Sequence, residues 1–182
     1  SYLGQLVLML WQFISAGCGI AIAAVVFFAM KTPSPSERAE VRLGNFYFLF
    51  VRTCTRILFP IALVVALLLL FNGTPMTLQG KDTITTLQGD TVQVSRGPVA
   101  AFVAIKQIGT NGGGFFGPNS AHPLENPSYF TNFIETICIF LIPMALVFAF
   151  GYVLKRKKLA LVIFGVMTIG FLLLVIPTVI NE

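Results

Sequence analysis

The chain has 182 residues, of which 56% are hydrophobic and 10% charged, and its mean hydropathy is +0.87. That composition excludes a soluble domain with a wetted surface and places the protein in a membrane. The formal net charge of +5 is concentrated in two short loops between apolar runs, the pattern of membrane topology and not of a nucleic-acid footprint.

A hydrocarbon core about 30 Å thick needs about 20 apolar residues per helix. The first such run, Tyr2–Met30, carries no charge. Gln5 and Gln12, seven positions apart, share one face of it, where packing on a neighbouring helix is the expected role rather than a watery pore wall. Ser15, Gly19 and Ala23 form a small-residue seam, which predicts close helix packing. The run is too long, and lacks the basic flank, for a signal peptide. Because the sequence opens on Ser1 instead of Met, a fragment or a processed piece is expected.

Lys31, Arg38 and Arg42 follow, and the second apolar run, Phe46–Phe71, holds Arg52 and Arg56 in its first half, from where they can snorkel to one interface. Residues 72–97 turn polar. Alternation in TITTLQGDTVQVS around Gly89 and Asp90 predicts a surface hairpin, and Asn72, Gly73 and Thr74 form a glycosylation sequon that has no meaning in a bacterial host.

Next comes GPVAAFVAIKQIG, opened by Gly-Pro and closed by Gly109, which predicts a helix over 98–108. About 11 residues at 1.5 Å each reach about 16 Å, half a bilayer, so this helix is re-entrant or interfacial. Beyond it lies GTNGGGFFGPNSAHPLENP, residues 109–127. The C-terminal end of a helix carries about half a negative elementary charge, which favours a cation there, whereas glycine-rich phosphate cradles precede helix N-termini. Glycines also admit positive φ, which lets carbonyl oxygens be turned toward one side and replace the hydration shell of a monovalent cation. Thr110 can add a hydroxyl, and Asn111 can brace the loop through its amide. Gly112, Gly114 and Gly117 also match G-x-G-x-x-G with Glu135 downstream, but a dinucleotide fold needs a preceding strand and a following helix, and Pro118, Pro123 and Pro127 forbid that helix. His122 and Glu125 are read as tying loop backbone together, and Glu135 as a cap or an ion-pair partner near the outer interface.

Two more spans complete the chain, at 130–154, where Pro143 predicts a kink, and at 159–180. Lys155, Arg156, Lys157 and Lys158 lie between them. By the positive-inside rule both basic loops are cytoplasmic, and residues 72–129 are outside or dip in from outside. Cys18, Cys54 and Cys138 are scattered without metal-ligand spacing, as inert buried thiols. The fold class is therefore an all-α polytopic membrane protein of four transmembrane helices plus a re-entrant pore helix and loop.

The segment GPVAAFVAIKQIGTNGGGFFGPNSAHPLENPSYFTNF, followed by FLIPMALVFAFGYV, resembles the second pore repeat of the KdpA family, the potassium-transporting subunits of the bacterial Kdp ATPase, and FISAGCGIAIA resembles the helix before it. The resemblance implies the potassium transporter superfamily, in which four helix, pore-loop, helix repeats surround one pore. On that basis residues 1–45 correspond to the last helix of the first repeat with a cytoplasmic loop. Residues 46–154 correspond to the second repeat: helix 46–71, outer loop 72–97, pore helix 98–108, filter 109–116, outer loop 117–129 and helix 130–154. Residues 155–182 are a basic turn and the first helix of the third repeat. It further implies that Thr110, Asn111, Gly112, Gly113 and Gly114 select potassium, Gly112 foremost, in a subunit of the bacterial inner membrane. That subunit is non-catalytic by itself and works in lipid with a P-type ATPase catalytic subunit and accessory subunits of the Kdp complex. No organic cofactor is implied. A passive or ion-coupled potassium transporter of the same superfamily is the alternative.

Overall fold

A computed structural model of the chain describes residues 2–31 and 44–181; Ser36, Arg38 and Arg42 of the first basic loop lie outside them. The described residues form long helices and one small hairpin. Helix α1 spans Tyr2–Met30, and the second span is built from α2 (Phe46–Thr53), a π-helical turn (Cys54–Leu58) and α3 (Phe59–Phe71). Strands β1 (Lys81–Thr85) and β2 (Thr91–Ser95) follow, then α4 (Val99–Gly109), α5 (Tyr129–Val153) and α6 (Lys157–Asn181). Among the described residues, four helical segments are long and apolar enough to cross a membrane: Leu3–Met30, Phe46–Phe71, Tyr129–Val153 and Lys157–Asn181.

Each element has a local cause. Asn45 caps α2 by accepting the Phe48 N–H at 3.2 Å. The π turn ends two residues before Pro60, which has no N–H and whose ring would crowd the carbonyl four residues back; the Phe59 N–H reaches five residues back to Cys54 instead. Helix α5 opens on a reciprocal capping box, in which the Thr131 N–H donates to Ser128 Oγ at 3.2 Å and the Ser128 N–H to Thr131 Oγ1 at 3.0 Å. The hairpin expected around Gly89 forms, with Lys81 paired to Ser95 and Thr85 to Thr91.

The expected small-residue seam is displaced. Ser15 and Gly19 are exposed, and the face of α1 that meets the second span is that of Gly17 and Ala21. A Cβ on Gly17 would strike Cys54 Sγ and lie 3.0 Å from the Phe50 ring. Two positions along a helix rotate the direction by about 200°, so Ser15 and Gly19 look elsewhere.

The core is built around α4, which packs against α1, α3 and α5. Val99, Ala100, Phe102, Val103, Ala104 and Ile108 are buried, together with Leu58, Val65 and Leu69 from the second span and Cys138 from α5. An 11-residue helix surrounded in this way is flanked by protein along most of its length, the setting in which irregular chain is tolerated at membrane depth.

Two contacts orient the bundle. The Phe27 and Phe150 rings meet at 5.0 Å, so the Lys31 end of α1 and the Lys155 end of α5 lie at the same end. At the other end the Ala100 N–H donates to the Pro75 carbonyl at 3.0 Å, joining the start of α4 to the segment after α3. Lys31 and the turn of Lys155 thus share one end and the start of α4 lies toward the other, in keeping with the charge distribution.

Candidate ion-binding loop and its frame

Helix α4 starts near the hairpin end and stops halfway along α1, where a Cβ on Gly109 would lie 3.1 Å from Ala16 Cβ. The stop differs from expectation. Gly109 is the last helical residue, allowing close approach to α1, and the left-handed residue is Thr110, with φ 52°. The Thr110 N–H then donates to Gln107 and the Asn111 N–H to Lys106, at 3.3 and 3.1 Å, a Schellman-type closure.

From there the chain climbs back beside α1. Asn111 Nδ2 donates to Ser15 Oγ at 2.9 Å, Gln12 Nε2 to the Gly113 carbonyl at 2.9 Å, and Gln5 Nε2 to the Phe115 carbonyl at 3.2 Å. Ser15 to Gln5 is about 15 Å of helix at 1.5 Å per residue. Four peptide units from Asn111 to Phe115 cover at most about 14 Å. The loop therefore runs antiparallel to α4 and is anchored rung by rung to α1, the long side chains of the rungs making up part of the span. The face of Gln5 and Gln12, expected to pack on a neighbouring helix, holds the loop's carbonyls.

Gly112 has φ +84°, a conformation costly to any residue with a Cβ, while the space around it is open. Its carbonyl accepts the Asn119 N–H at 3.2 Å, and Gly113 bridges to Pro118, so residues 112–119 fold into a tight return. The Thr110 hydroxyl donates to the Gly109 carbonyl at 2.8 Å. The carbonyls of Thr110, Asn111 and Gly114 receive no hydrogen bond from the described residues. A carbonyl oxygen has two lone pairs, so those of Gly112 and Gly113, each holding one donor, retain acceptor capacity.

The loop separates two hollows. An open cleft of about 660 Å³ is lined by Leu8, Trp11 and Gln12 with Gly113, Gly114 and Pro118. A smaller cavity of about 210 Å³ lies toward the other half of α1, among Gly19, Ile20, Thr110, Pro143 and Leu146. Ser15 and Asn111 line both. The negative end of the α4 dipole points at this divide, which favours a cation. A helix, not a strand, leads into the glycines, and among the described residues no helix follows them before Tyr129, so the context of a nucleotide cradle is missing.

Behind the loop sits a layer of buried polar side chains. Lys106 Nζ lies 2.6 Å from Glu125 Oε2, and both side chains are 1% exposed. Glu125 Oε1 accepts the Phe116 N–H at 2.9 Å. Gln107 Nε2 donates to Glu135 Oε2 at 2.6 Å and to Ser120 Oγ at 3.0 Å. Glu135 is thus buried in the bundle and not at an interface, and capping of α5 falls to Ser128. His122 does tie loop backbone together: its Nδ1 accepts the Leu124 N–H at 3.1 Å and its ring stacks on Phe116 at 4.0 Å. Thr74 of the sequon is 1% exposed and donates to the Glu125 carbonyl. The partners of Lys106 and Gln107 escape sequence reading, although charged and amide groups one turn before the end of an otherwise apolar helix are a signal that something polar meets them.

Comparison with known proteins agrees with this architecture. The family model for the potassium-transporting ATPase A subunit, KdpA, matches residues 1–182. A potassium-transporting ATPase potassium-binding subunit of Flavobacterium psychrophilum is 66% identical over 182 residues, all of this chain and 31% of that protein. Its namesake from Parabacteroides distasonis is 52% identical over 174 residues, 95% of this chain and 30% of that protein. One from Caldanaerobacter subterraneus subsp. tengcongensis is 38% identical over 183 residues, covering this chain fully and 32% of its own length. The chain spans about a third of the length of these relatives. A match over every residue, on four membrane-length helices of which three pack around a short buried one, leaves one assignment: the chain belongs to the KdpA family of potassium-transporting ATPase A subunits.

Proposed function

We propose that residues 110–114 form one segment of a potassium-selective filter. In this reading the chain is part of the ion-binding subunit of an ATP-driven potassium uptake pump in the bacterial inner membrane. The observation that carries it is the extended loop at the end of a buried half-length helix, held to α1 at Gly113 and Phe115 and dividing two hollows. Potassium is the transported substrate. A dehydrated cation is paid for by oxygen ligands, which Thr110, Asn111, Gly112, Gly113 and Gly114 supply from the backbone in a field that the α4 dipole makes favourable. The loop is one quarter of a filter, and equivalent loops of the complete subunit supply the rest.

Selection and energy supply are separate tasks in this reading. The chain binds and passes the ion, and a P-type ATPase catalytic subunit, with accessory subunits of the Kdp complex, hydrolyses ATP. The relatives are named as potassium-binding subunits of a potassium-transporting ATPase, which supports the division. The test is to purify the complete subunit from its host membrane and titrate ATPase activity with each alkali cation, for the parent and for Gly112→Asp. Co-purification of an ATPase and a potassium half-saturation raised about tenfold or more in the variant are expected. The absence of an ATPase would favour a passive or ion-coupled transporter, and an unchanged half-saturation would remove Gly112 from the site.

A further inference from the structure

Ion selection as described makes no use of the two charged side chains buried behind the loop. Lys106 stands one turn before the end of α4, and Glu125 lies in the return loop that follows the glycines. Burying opposite charges at 1% exposure is costly unless the pair is close and its remaining polar atoms are satisfied. The pair meets the first condition, and its carboxylate meets the second. The pair is 2.6 Å apart, and the second carboxylate oxygen accepts the Phe116 N–H at 2.9 Å. The pair also touches the ion-binding backbone itself: a Cβ on Gly114 would collide with Lys106 Nζ and lie 2.8 Å from Glu125 Oε1 and 2.7 Å from the Gly117 carbonyl.

We infer that Lys106 and Glu125 are a selectivity-determining positioning pair, a charged strut that sets the filter's geometry and is electrically silent at the ion only while neither charge stands unpaired. The inference rests on residues 110–114 being the potassium-binding loop. Glu125 fixes the loop where it leaves the glycines, at Phe116, and Lys106 fixes Glu125 to the last turn of the pore helix. Together they set the distance between the two ends of residues 106–116. Electrostatics adds a sign. Charges in a poorly screened interior act strongly on a cation a few ångströms away. An ammonium without its carboxylate would repel the ion, and a carboxylate without its ammonium would attract cations indiscriminately. A purely structural pair has no such asymmetry, because either deletion would only loosen the loop.

The experiment is cation-dependent ATPase activity of the assembled complex carrying Glu125→Gln, Lys106→Met or both. Glu125→Gln keeps an oxygen for the Phe116 N–H but leaves the ammonium unpaired, so potassium half-saturation should rise about tenfold or more. Lys106→Met should leave potassium half-saturation unchanged or lowered while sodium begins to compete. The double variant has no unpaired charge, so potassium half-saturation should return to within about threefold of the parent. Having lost the strut, it should discriminate potassium from sodium about threefold less well or worse. Shifts of the two single variants in the same direction would overturn the inference. Should either single variant fail to assemble, the double variant decides alone: reduced discrimination supports the strut, and parental discrimination overturns it. A parent complex without potassium preference would remove the filter reading and the pair's role with it. A parent with that preference, and variants that keep it, would remove the pair's role only.

Discussion

Gly114→Ala adds one methyl group at the most crowded point of the loop. The new Cβ would sit 2.7 Å from the Gly117 carbonyl oxygen and 2.8 Å from Glu125 Oε1, and against Lys106 Nζ. The two charged groups cannot retreat into solvent, since Lys106 and Glu125 are 1% exposed and joined to each other. Forcing a methyl into a filled interior costs about 1–3 kcal/mol, and losing the Phe116 bond to a charged acceptor about 1.5–3 kcal/mol more. If the loop yields instead of the pair, the Phe116 bond is kept and only the crowding cost of about 1–3 kcal/mol appears, as displaced ion ligands. At about 1.4 kcal/mol per tenfold, potassium half-saturation should then rise about tenfold to a hundredfold. Gly112→Ala is the matched control. Nothing lies within 4 Å of its would-be Cβ, and its φ is +84°, so only the left-handed conformation is penalised, at about 1–2 kcal/mol. The assay is potassium and sodium titration of ATPase activity in the assembled complex, with its thermal midpoint measured in parallel. Gly114→Ala should be the worse of the two in both readouts. A Gly114→Ala complex with parental half-saturation, cation order and midpoint would refute the packing of the ion pair against the filter backbone.

A cysteine at Ser36, in a cysteine-free complete subunit, should be protected from an impermeant external thiol reagent while one at Thr85, in the exposed β1, reacts; equal labelling would break the four-span topology. Gln12→Leu removes the amide that holds the Gly113 carbonyl at 2.9 Å at similar volume. The lost bond is worth about 1 kcal/mol, so potassium half-saturation should rise about fivefold, and a parental titration would show that α1 does not position the loop.

The spans and the half-length helix were legible because hydrocarbon thickness converts residue count into topology, and the hairpin because period-two alternation flanked a Gly-Asp turn. Charge placement predicted which ends of the bundle coincide, and the Phe27–Phe150 contact puts them together. What escaped reading depends on side chains far apart in sequence. Gln12 meets Gly113 across 101 positions and Gln107 meets Glu135 across 28, and no local period marks either pairing. The Ser15, Gly19, Ala23 seam is a different kind of miss: small residues also occur at Gly17 and Ala21, and spacing alone does not say which face a neighbouring helix uses. Gly109 reads as the helix stop from its type, whereas it is the last helical residue, lying against Ala16 and Asn111, and Thr110 takes the left-handed conformation that ends the helix.

The most direct test of the central claim is to locate the ion. Crystals or grids of the complete subunit in its complex, prepared with rubidium or thallium in place of potassium, give a heavy-cation signal that lighter ligands do not. The account predicts a site coordinated by backbone carbonyls within residues 110–114, lost in Gly112→Asp and displaced by excess potassium but not by equal sodium. A cation bound elsewhere in the subunit, with these carbonyls facing only protein or water, would contradict it.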